Sequence, residues 1–247
     1  MRARRHGWLL VGTVLLGYAT TACGDTQRSG TAAGPSASAS PSPSASAQTP
    51  LSAEELKSLA ITSEEVPGNR GISADERDPS AAEGNTFPPV SDTSCQTMLD
   101  ALDAGTASAA VDQIFNWKGG IYPGGSVLAS YAGTEAEDTF ARLRTALKTC
   151  TDFTGVGYAG KYSAHVATEK IARVGDESIA LRITVPIKEP ASMRNGRRVA
   201  VRNEQHIFVR VGHVTAYYSM LDMNHSDHFP MALIRKEVGR LAEAQRG

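Results

Sequence analysis

A predicted β-hairpin over residues 207–218 constrains the fold of this chain more than any other stretch. Two runs rich in β-forming residues flank the pair Gly212-His213. Glycine supplies the positive φ that a two-residue hairpin turn requires. Closing the turn there pairs Val211 with Val214 and places the apolar side chains of both strands on one face. That face is expected to lie on the core of an antiparallel sheet.

The opposite face of this hairpin is mixed, and it is the first candidate for a binding surface. It carries His206, Phe208, Arg210, Thr215, Tyr217 and Ser219. Because successive side chains alternate between the two faces of a strand, these residues either meet solvent or line a cleft. From this parity we predict a ligand-binding cleft whose side chains include Phe208, Arg210 and Tyr217.

Residues 1–22 have the layout of a secretory signal. Three arginines precede an apolar run over residues 8–19, and small residues precede Cys23; this order of basic, apolar and small residues is typical of a cleaved signal peptide. A membrane-spanning helix needs about 20 apolar residues. The run is shorter, so a permanent helical anchor is not expected.

The stretch Thr20-Thr21-Ala22-Cys23 resembles a bacterial lipobox, in which the cysteine becomes the lipidated first residue. Thr21 and Ala22 fit the pattern, whereas Thr20 stands where an aliphatic residue is usual. The alternative is ordinary cleavage, with Cys23 left as a free thiol. Since a lone thiol is a liability in an oxidising compartment, we predict a diacyl, palmitate-type anchor on Cys23. It would hold the protein on the outer face of the cell membrane.

Residues 23–50 are predicted to form a disordered tether rich in Ser, Ala and Pro. They contain no large apolar side chain that would offset the entropy of ordering the chain. Residues 51–247 then form one folded domain. The formal charge of the whole chain is −1, and removal of the signal arginines makes the mature protein more acidic. Such a charge does not favour a nucleic-acid partner.

The folded part begins and ends with helical patterns, and two more lie between them. Capping boxes are predicted at Ser52-x-x-Glu55 and Thr134-x-x-Glu137, and Asp92 is a predicted cap. Residues at helical spacing on the apolar sides are Leu56 and Leu59; Cys95, Met98, Leu99 and Leu102; Phe140, Leu143, Leu147 and Cys150; and Leu233, Ile234, Val238 and Leu241.

Between residues 151 and 218 the pattern changes to alternation with period two, which is clearest over residues 178–185. With one strand near residues 126–131, these runs predict an antiparallel sheet of about five to six strands packed with amphipathic helices, an α+β fold. Residues 69–90 are expected to be loop with at most one edge strand. Polar Asn203 and Gln205 are expected to bend or bulge their strand.

Two cysteines on the buried sides of two helices are expected to bond in an exported chain. With Cys23 assigned to lipid, Cys95 and Cys150 remain for one disulfide. The alternative is two buried thiols that never meet. Closing a loop of this length stabilises the folded state by about 4 kcal/mol in the chain-entropy model.

Three stretches together resemble the extracellular sensor domains of the PknH type in actinobacteria, together with the related exported lipoproteins. They are Phe140-Ala141-Arg142-Leu143 with the helix end at Cys150, residues 174–182, and residues 208–214. The resemblance covers roughly residue 95 to the C-terminus. It implies a sheet-and-helix domain with a ligand-sized cleft and a sensing or binding role without catalysis. PknH-type sensor domains belong to Ser/Thr kinases. This chain departs from them, because it has no kinase domain and no transmembrane helix, and it has fewer cysteines than their sensor domain. Only the bridge mapped to Cys95 and Cys150 carries over.

Motifs for catalysis or metal binding are sparse. The loop residues Asp222, His225, Asp227 and His228 lack the helical histidine spacing or paired cysteines of a zinc site, and a solvated loop with Asp227 as a helix cap explains them. There is no Gly-x-Ser-x-Gly elbow. Trp117 and Tyr122, beside a glycine-rich link, are either a recognition surface or core aromatics. We therefore expect no metal, no cofactor and no enzymatic activity.

The predicted function is that of a membrane-anchored extracytoplasmic lipoprotein with a non-catalytic, sensor-like domain for an unknown small ligand. The alternative is an envelope lipoprotein that binds another protein through an exposed apolar surface and has no small-molecule pocket.

Overall fold

The computed structural model describes residues 49–79, 87–118, 123–157, 160–187, 201–222 and 228–246. The predicted signal peptide, Cys23 and most of the predicted tether lie outside these ranges, as do Tyr122, His225 and Asp227. Nothing in the structure bears on the predictions made for those residues.

The described residues form four α-helices, one short 3₁₀ turn and eight strands. In chain order these are α1 (Ala53–Leu59), the 3₁₀ turn (Ser63–Glu65), β1 (Asn69–Arg77), α2 (Thr93–Asp103), β2 (Ala109–Trp117), β3 (Gly124–Ser130), α3 (Glu135–Ala146), β4 (Asp152–Gly157), β5 (Gly160–Glu169), β6 (Glu177–Pro186), β7 (Val201–Val211), β8 (Val214–Leu221) and α4 (Met231–Ala244). The strands make one antiparallel sheet in the order β1-β2-β3-β8-β7-β6-β5-β4.

The α+β class is confirmed, whereas the predicted count of five to six strands is wrong. The strands missing from the prediction are β2 and β4, whereas β1 lies within residues 69–90, where one edge strand was allowed. Strands β1 and β4 are the two edges of the sheet. An edge strand pairs on one side only and does not require a continuous apolar pattern. Their polar and glycine-containing sequences therefore carried little signal.

The β7–β8 hairpin has the predicted register. Val211 faces Val214, and Ile207 faces Tyr218. Gly212 adopts the positive φ that the turn needs, at 55°. The bulge expected beside Asn203 is wrong, because the pairing of β6 with β7 is continuous over its whole length.

The polar side chains in the middle of β7 have hydrogen-bond partners, so the strand need not deform to release them. Thr184 Oγ1 donates to Asn203 Oδ1 at 2.8 Å. The backbone N–H of Phe229 donates to Gln205 Oε1 at 3.1 Å. A buried polar group with a partner costs far less than one without.

Both faces of the central sheet are covered. On one face, α1 and α4 pack over Val209 and Tyr218; this core also contains Leu56, Val111, Phe115, Leu128, Ile234, Val238 and Leu241. On the other face, α2 and α3 pack over Phe208 and Tyr217; this core also contains Met98, Leu99, Leu102, Phe140, Leu143, Leu181 and Ile183. Among the described residues, no helix is long and apolar enough to cross a membrane.

The helix caps are mostly as predicted. In the capping box of α1, Glu55 Oε2 accepts the N–H of Ser52 at 2.7 Å, and Ser52 Oγ accepts the N–H of Glu55 at 3.2 Å. Asp92 caps α2 by accepting the N–H of Cys95 at 2.8 Å. The predicted box at α3 is wrong. Thr134 has a ψ of 3° rather than extended backbone, and its hydroxyl bonds the carboxylate of Asp138 instead.

The predicted disulfide is confirmed. Cys95 and Cys150 are bonded across a sequence separation of 55 residues. Both are buried in the core under α2 and α3. The bond ties the first turn of α2 to the residues that follow α3.

Replacing both cysteines by alanine (Cys95→Ala with Cys150→Ala) is expected to lower the free energy of unfolding by about 4 kcal/mol. The reason is that the denatured chain regains the entropy of an open loop. Urea unfolding of the oxidised wild type, the reduced wild type and the variant measures this loss. Reduced wild type serves as the control, because it lacks the bond but keeps the thiols. A loss below about 1 kcal/mol would contradict the prediction.

A buried carboxyl on α4 joins the N-terminal segment of the domain to the sheet. Glu237 is 0 % exposed. Its Oε2 accepts the hydroxyl of Tyr218 at 2.6 Å, and its Oε1 accepts the N–H of Ile61 at 2.9 Å. Burial raises the pKa of Glu237 to about 7, although these hydrogen bonds and Arg240 act in the opposite direction.

Arg240, one turn further along α4, holds the same segment from the outside. Its guanidinium donates to the carbonyls of Leu59 and Ala60 at 2.8 and 3.0 Å, and to Glu65 Oε1 at 2.6 Å. Burial raises the pKa of Glu65, but hydrogen bonds from Lys236, the backbone and Arg240 lower it to about 2. Glu65 therefore stays ionised and holds α4 against the residues after α1.

The Glu237→Gln variant is expected to lose a pH dependence that the wild type shows. The pKa of Glu237 is about 7 in the fold against 4.5 for the ordinary carboxyl, so the folded state binds the extra proton between these values. Stability due to this group is therefore complete below about pH 4.5 and falls by roughly 3 kcal/mol as pH rises to 7. Glutamine cannot ionise, so the variant lacks this fall.

Urea unfolding at intervals from pH 4.5 to pH 8 measures the difference between the two proteins. Glu243→Gln is the matched control, because Glu243 is an exposed carboxylate on the same helix. Parallel stability curves for wild type and Glu237→Gln would contradict the assignment.

Candidate functional site

The structure places two of the three predicted ligand-binding residues inside the core. Phe208 is 1 % exposed, and its ring stacks on Phe140 of α3 with centroids 5.7 Å apart. Tyr217 is 7 % exposed. Packing under α2 and α3 accounts for the apolar character of both, and their role in ligand binding stays a prediction.

Tyr217 belongs to a buried polar pair. Its hydroxyl lies 2.7 Å from His206 Nδ1, and the two rings stack with centroids 5.8 Å apart. Burial lowers the pKa of His206, so the imidazole is neutral at pH 7. Its Nε2 has no hydrogen-bond partner among the described residues and lies 3.7 Å from a carboxylate oxygen of Glu204.

Arg210, the third predicted residue, is partly buried and connects two turns. Its Nε donates to Glu177 Oε1 at 3.0 Å, and its guanidinium also bonds the carbonyl of Gly212 at 3.1 Å. Asp176 lies within 3.4 Å of the same guanidinium and accepts the N–H of Gly212 at 2.7 Å. Arg210 therefore links the β5–β6 connection to the β7–β8 turn.

An open groove lies beside Glu177, between the end of α3 and the β5–β6 connection. We call it the α3–β6 groove and define it by Arg144, Leu147, Lys148, Thr168, Glu169, Ile171, Arg173, Glu177, Ser178 and Ile179. Its larger lobe has a volume of about 420 Å³, and an adjoining lobe that shares Arg144, Ile171 and Ile179 has about 310 Å³. Small-molecule sites span about 300–1,000 Å³.

The floor of the α3–β6 groove is apolar. Leu147 follows α3 at the end of its apolar stripe, Ile179 lies on β6, and Ile171 lies in the β5–β6 connection. All three side chains are half-buried.

The β5–β6 connection turns back on itself at Gly175, whose φ is 65°. A Cβ there would lie 2.5 Å from the carbonyl oxygen of Arg210. The close approach of these two backbones therefore requires glycine.

The rim of the α3–β6 groove carries three cationic side chains. Arg144 bonds Glu177 Oε2 at 2.9 Å, and Arg173 bonds the carbonyl of Asp176 at 2.6 Å. The Lys148 ammonium has no side-chain partner among the described residues that line the groove. The structure thus leaves at least one donor-only group free at the rim.

The carboxylates of the groove are engaged by arginines. Glu169 accepts Arg182 Nε at 2.5 Å. Burial raises the pKa of Glu169, but hydrogen bonds from Arg182 and Gln205 lower it below its ordinary value. Glu177 is shared between Arg144 and Arg210. Neither carboxylate is an unpaired acid or base.

The rim residues were not predicted from the sequence. Arg144 on the last turn of α3 and Lys148 just after its end stand four residues apart, the spacing that puts two helical side chains on one face. That spacing was a usable signal. Arg173 lies in a connection with no recognisable motif, so only the fold brings it to the groove.

The other polar and aromatic residues that the sequence suggested as candidates make contacts within the fold. Asp222 pairs with Arg182 at 3.0 Å, and His228 Nδ1 lies 3.1 Å from the Gln205 amide. Trp117 stacks on Phe115 with centroids 5.6 Å apart. Across the part of the chain that the structure describes, no three His, Cys, Asp or Glu side chains are grouped to hold a metal ion.

Comparison with known proteins supports the fold. No protein family model matches the chain, and no curated protein matches its sequence. Among solved structures, the chain is similar to the extracellular domain of PknH from Mycobacterium tuberculosis. The two share 16 % sequence identity and a TM-score of 0.53, over 81 % of this chain and 98 % of that domain. The expected PknH-like fold is therefore confirmed at the level of architecture.

The Phe208→Ala variant is expected to lose about 3–5 kcal/mol of unfolding free energy, because it leaves a cavity between the sheet and α3. Val156→Ala is the control, since Val156 is 60 % exposed and should change stability by less than about 0.5 kcal/mol. Urea unfolding measures both. If Phe208→Ala unfolds like the wild type, Phe208 is not a core residue and its predicted role in a cleft gains support.

Proposed function

We propose that this protein is a membrane-anchored extracytoplasmic lipoprotein whose folded domain binds a small ligand in the α3–β6 groove without chemical turnover. The observation that carries the binding role is the groove itself, with its apolar floor and its free ammonium at Lys148. Apolar lining with a few convergent polar groups is typical of small-molecule sites.

Three features support an extracytoplasmic location. The first residues have the layout of a secretory signal. The Cys95–Cys150 disulfide is of a kind that persists in oxidising compartments. The fold is similar to that of a domain described as extracellular.

The absence of turnover is inferred from the state of the groove's ionisable groups. General acid–base catalysis needs a group that can exchange a proton with the substrate. Within the described residues that line the groove, Glu169 and Glu177 are both held by arginines. The remaining charged groups are Arg144, Lys148 and Arg173, which act as donors. This set is suited to binding.

Anchoring would come from Cys23 and the segment that follows it. If residues 23–50 behave as a flexible coil, their root-mean-square span is on the order of 30 Å. The domain would then sample a volume close to the membrane surface.

The Cys23→Ser variant tests the anchor. Wild-type protein, expressed with its signal in an actinobacterial host, is expected in the membrane fraction and released by detergent. The serine variant should appear in the soluble exported fraction, because serine does not take the lipid. Immunoblotting of the two fractions measures the partition. Equal partition of both proteins would contradict lipidation at Cys23.

Native mass spectrometry of the exported full-length chain tests ligand binding. We expect a defined extra mass that survives gentle ionisation and disappears when the protein is denatured. The denatured chain should be two protons lighter than its reduced form because of the disulfide. A chain that carries no extra mass from any growth condition would contradict the binding role and favour a protein partner.

A further inference from the structure

We infer that the α3–β6 groove takes an aliphatic monocarboxylate, with the carboxylate held between Arg144 and Lys148 and the chain laid on the apolar floor. This inference rests on the proposed function, since it names the ligand class for the same groove. Its support is the distribution of charge and apolar surface at the groove.

The two residues proposed to hold the ligand's carboxylate lie on one side of the groove. Arg144 and Lys148 are four residues apart at the end of α3, and both line the same lobe. Lys and Arg side chains donate hydrogen bonds and cannot accept them, so a ligand placed between them must carry acceptor oxygens. A carboxylate matches a guanidinium in plane and in spacing.

The ion pair that Arg144 now makes can be exchanged for the ligand. The Arg144 side chain is 60 % exposed and bonds one oxygen of Glu177, and exposed pairs of this kind are weak. The other oxygen of Glu177 bonds Arg210, whose side chain is 16 % exposed. When Arg144 turns to a bound carboxylate, Arg210 still neutralises Glu177, so no bare charge remains beside the ligand.

The remaining charges favour one negative charge on the ligand. The charged residues that line the groove are Arg144, Lys148, Arg173, Glu169 and Glu177, and those in ion pairs around them are Arg182, Arg210, Asp176 and Asp222. Together these side chains carry one net positive charge, which a carboxylate cancels and a dianionic headgroup such as a phosphate monoester exceeds. Charge complementarity therefore points to a monoanion.

The apolar floor of the groove is the reason for proposing an aliphatic chain on the ligand. Leu147, Ile171 and Ile179 are half-buried and leave apolar surface exposed in a groove of about 420 Å³. Apolar chain laid on this surface removes both from water, and the free energy gained is proportional to the area covered. A carboxylate without a chain would forgo this gain.

Octanoate, 1-octanol and acetate separate the contributions of headgroup and chain. Isothermal titration of the full-length exported protein, after removal of any bound cargo, is expected to show octanoate binding at least tenfold more tightly than either of the others. The double variant Arg144→Gln with Lys148→Gln should bind octanoate at least tenfold more weakly and 1-octanol unchanged. Both substituted side chains are exposed, and a melting curve confirms that the variant is folded.

Arg142→Gln is the matched control. It removes one positive charge from the same helix, against two in the double variant, and Arg142 pairs with Glu135 and does not line the groove. Its octanoate affinity should equal that of the wild type.

Four results would overturn the inference: no octanoate binding, equal binding of 1-octanol, equal binding of acetate, or an unchanged affinity in the double variant. The proposed function is judged separately by the cargo seen in native mass spectrometry. If a cargo is retained by the wild type and lost by the double variant while octanoate fails to bind, the groove binds a ligand of another class. If no cargo is found and octanoate fails, both proposals fall.

Discussion

The β7–β8 hairpin is buried on both faces, and the placement of every helix follows from the need to cover them. Val209 and Tyr218 face α1 and α4, while Phe208 and Tyr217 face α2 and α3. An antiparallel sheet often leaves one face to solvent; here the central strands carry large apolar side chains on both. The disulfide between Cys95 and Cys150 then fixes the helical layer over the second face.

Burial on both sides has two consequences. A polar group in the centre is costly when it has no partner. Glu237 has two, Tyr218 and Ile61, whereas His206 Nε2 has none among the described residues. In addition, large side chains in the middle of the sheet, such as Phe208 and Tyr217, are buried under helices. One open groove with apolar lining, the α3–β6 groove, lies at the margin, where α3 ends beside the β5–β6 connection.

The features of the fold that could be predicted from the sequence are the local ones. The hairpin turn at Gly212, the cap at Asp92 and the cysteine pairing each depend on a short pattern or on few possible partners. The alternation of side chains along the strands correctly assigned Phe208 to the mixed face. Alternation cannot show which elements cover a face. Edge strands β1 and β4 and the α3–β6 groove depend on contacts between distant segments whose sequences show no periodic signal. Arg210 was singled out from its hairpin position, and its partner Glu177 became apparent only in the fold.

Amide hydrogen exchange of the full-length protein, with its native cargo bound and after the cargo has been extracted, tests most directly whether the margin of the sheet is the binding site. A bound ligand slows the local opening that exchange requires. We expect that bound cargo slows exchange at residues 144–149 and 169–180 and leaves exchange at residues 204–208 unchanged. Slower exchange centred on residues 204–208, with no change at the groove, would contradict binding in the groove. It would indicate that the ligand binds on the sheet face under α2.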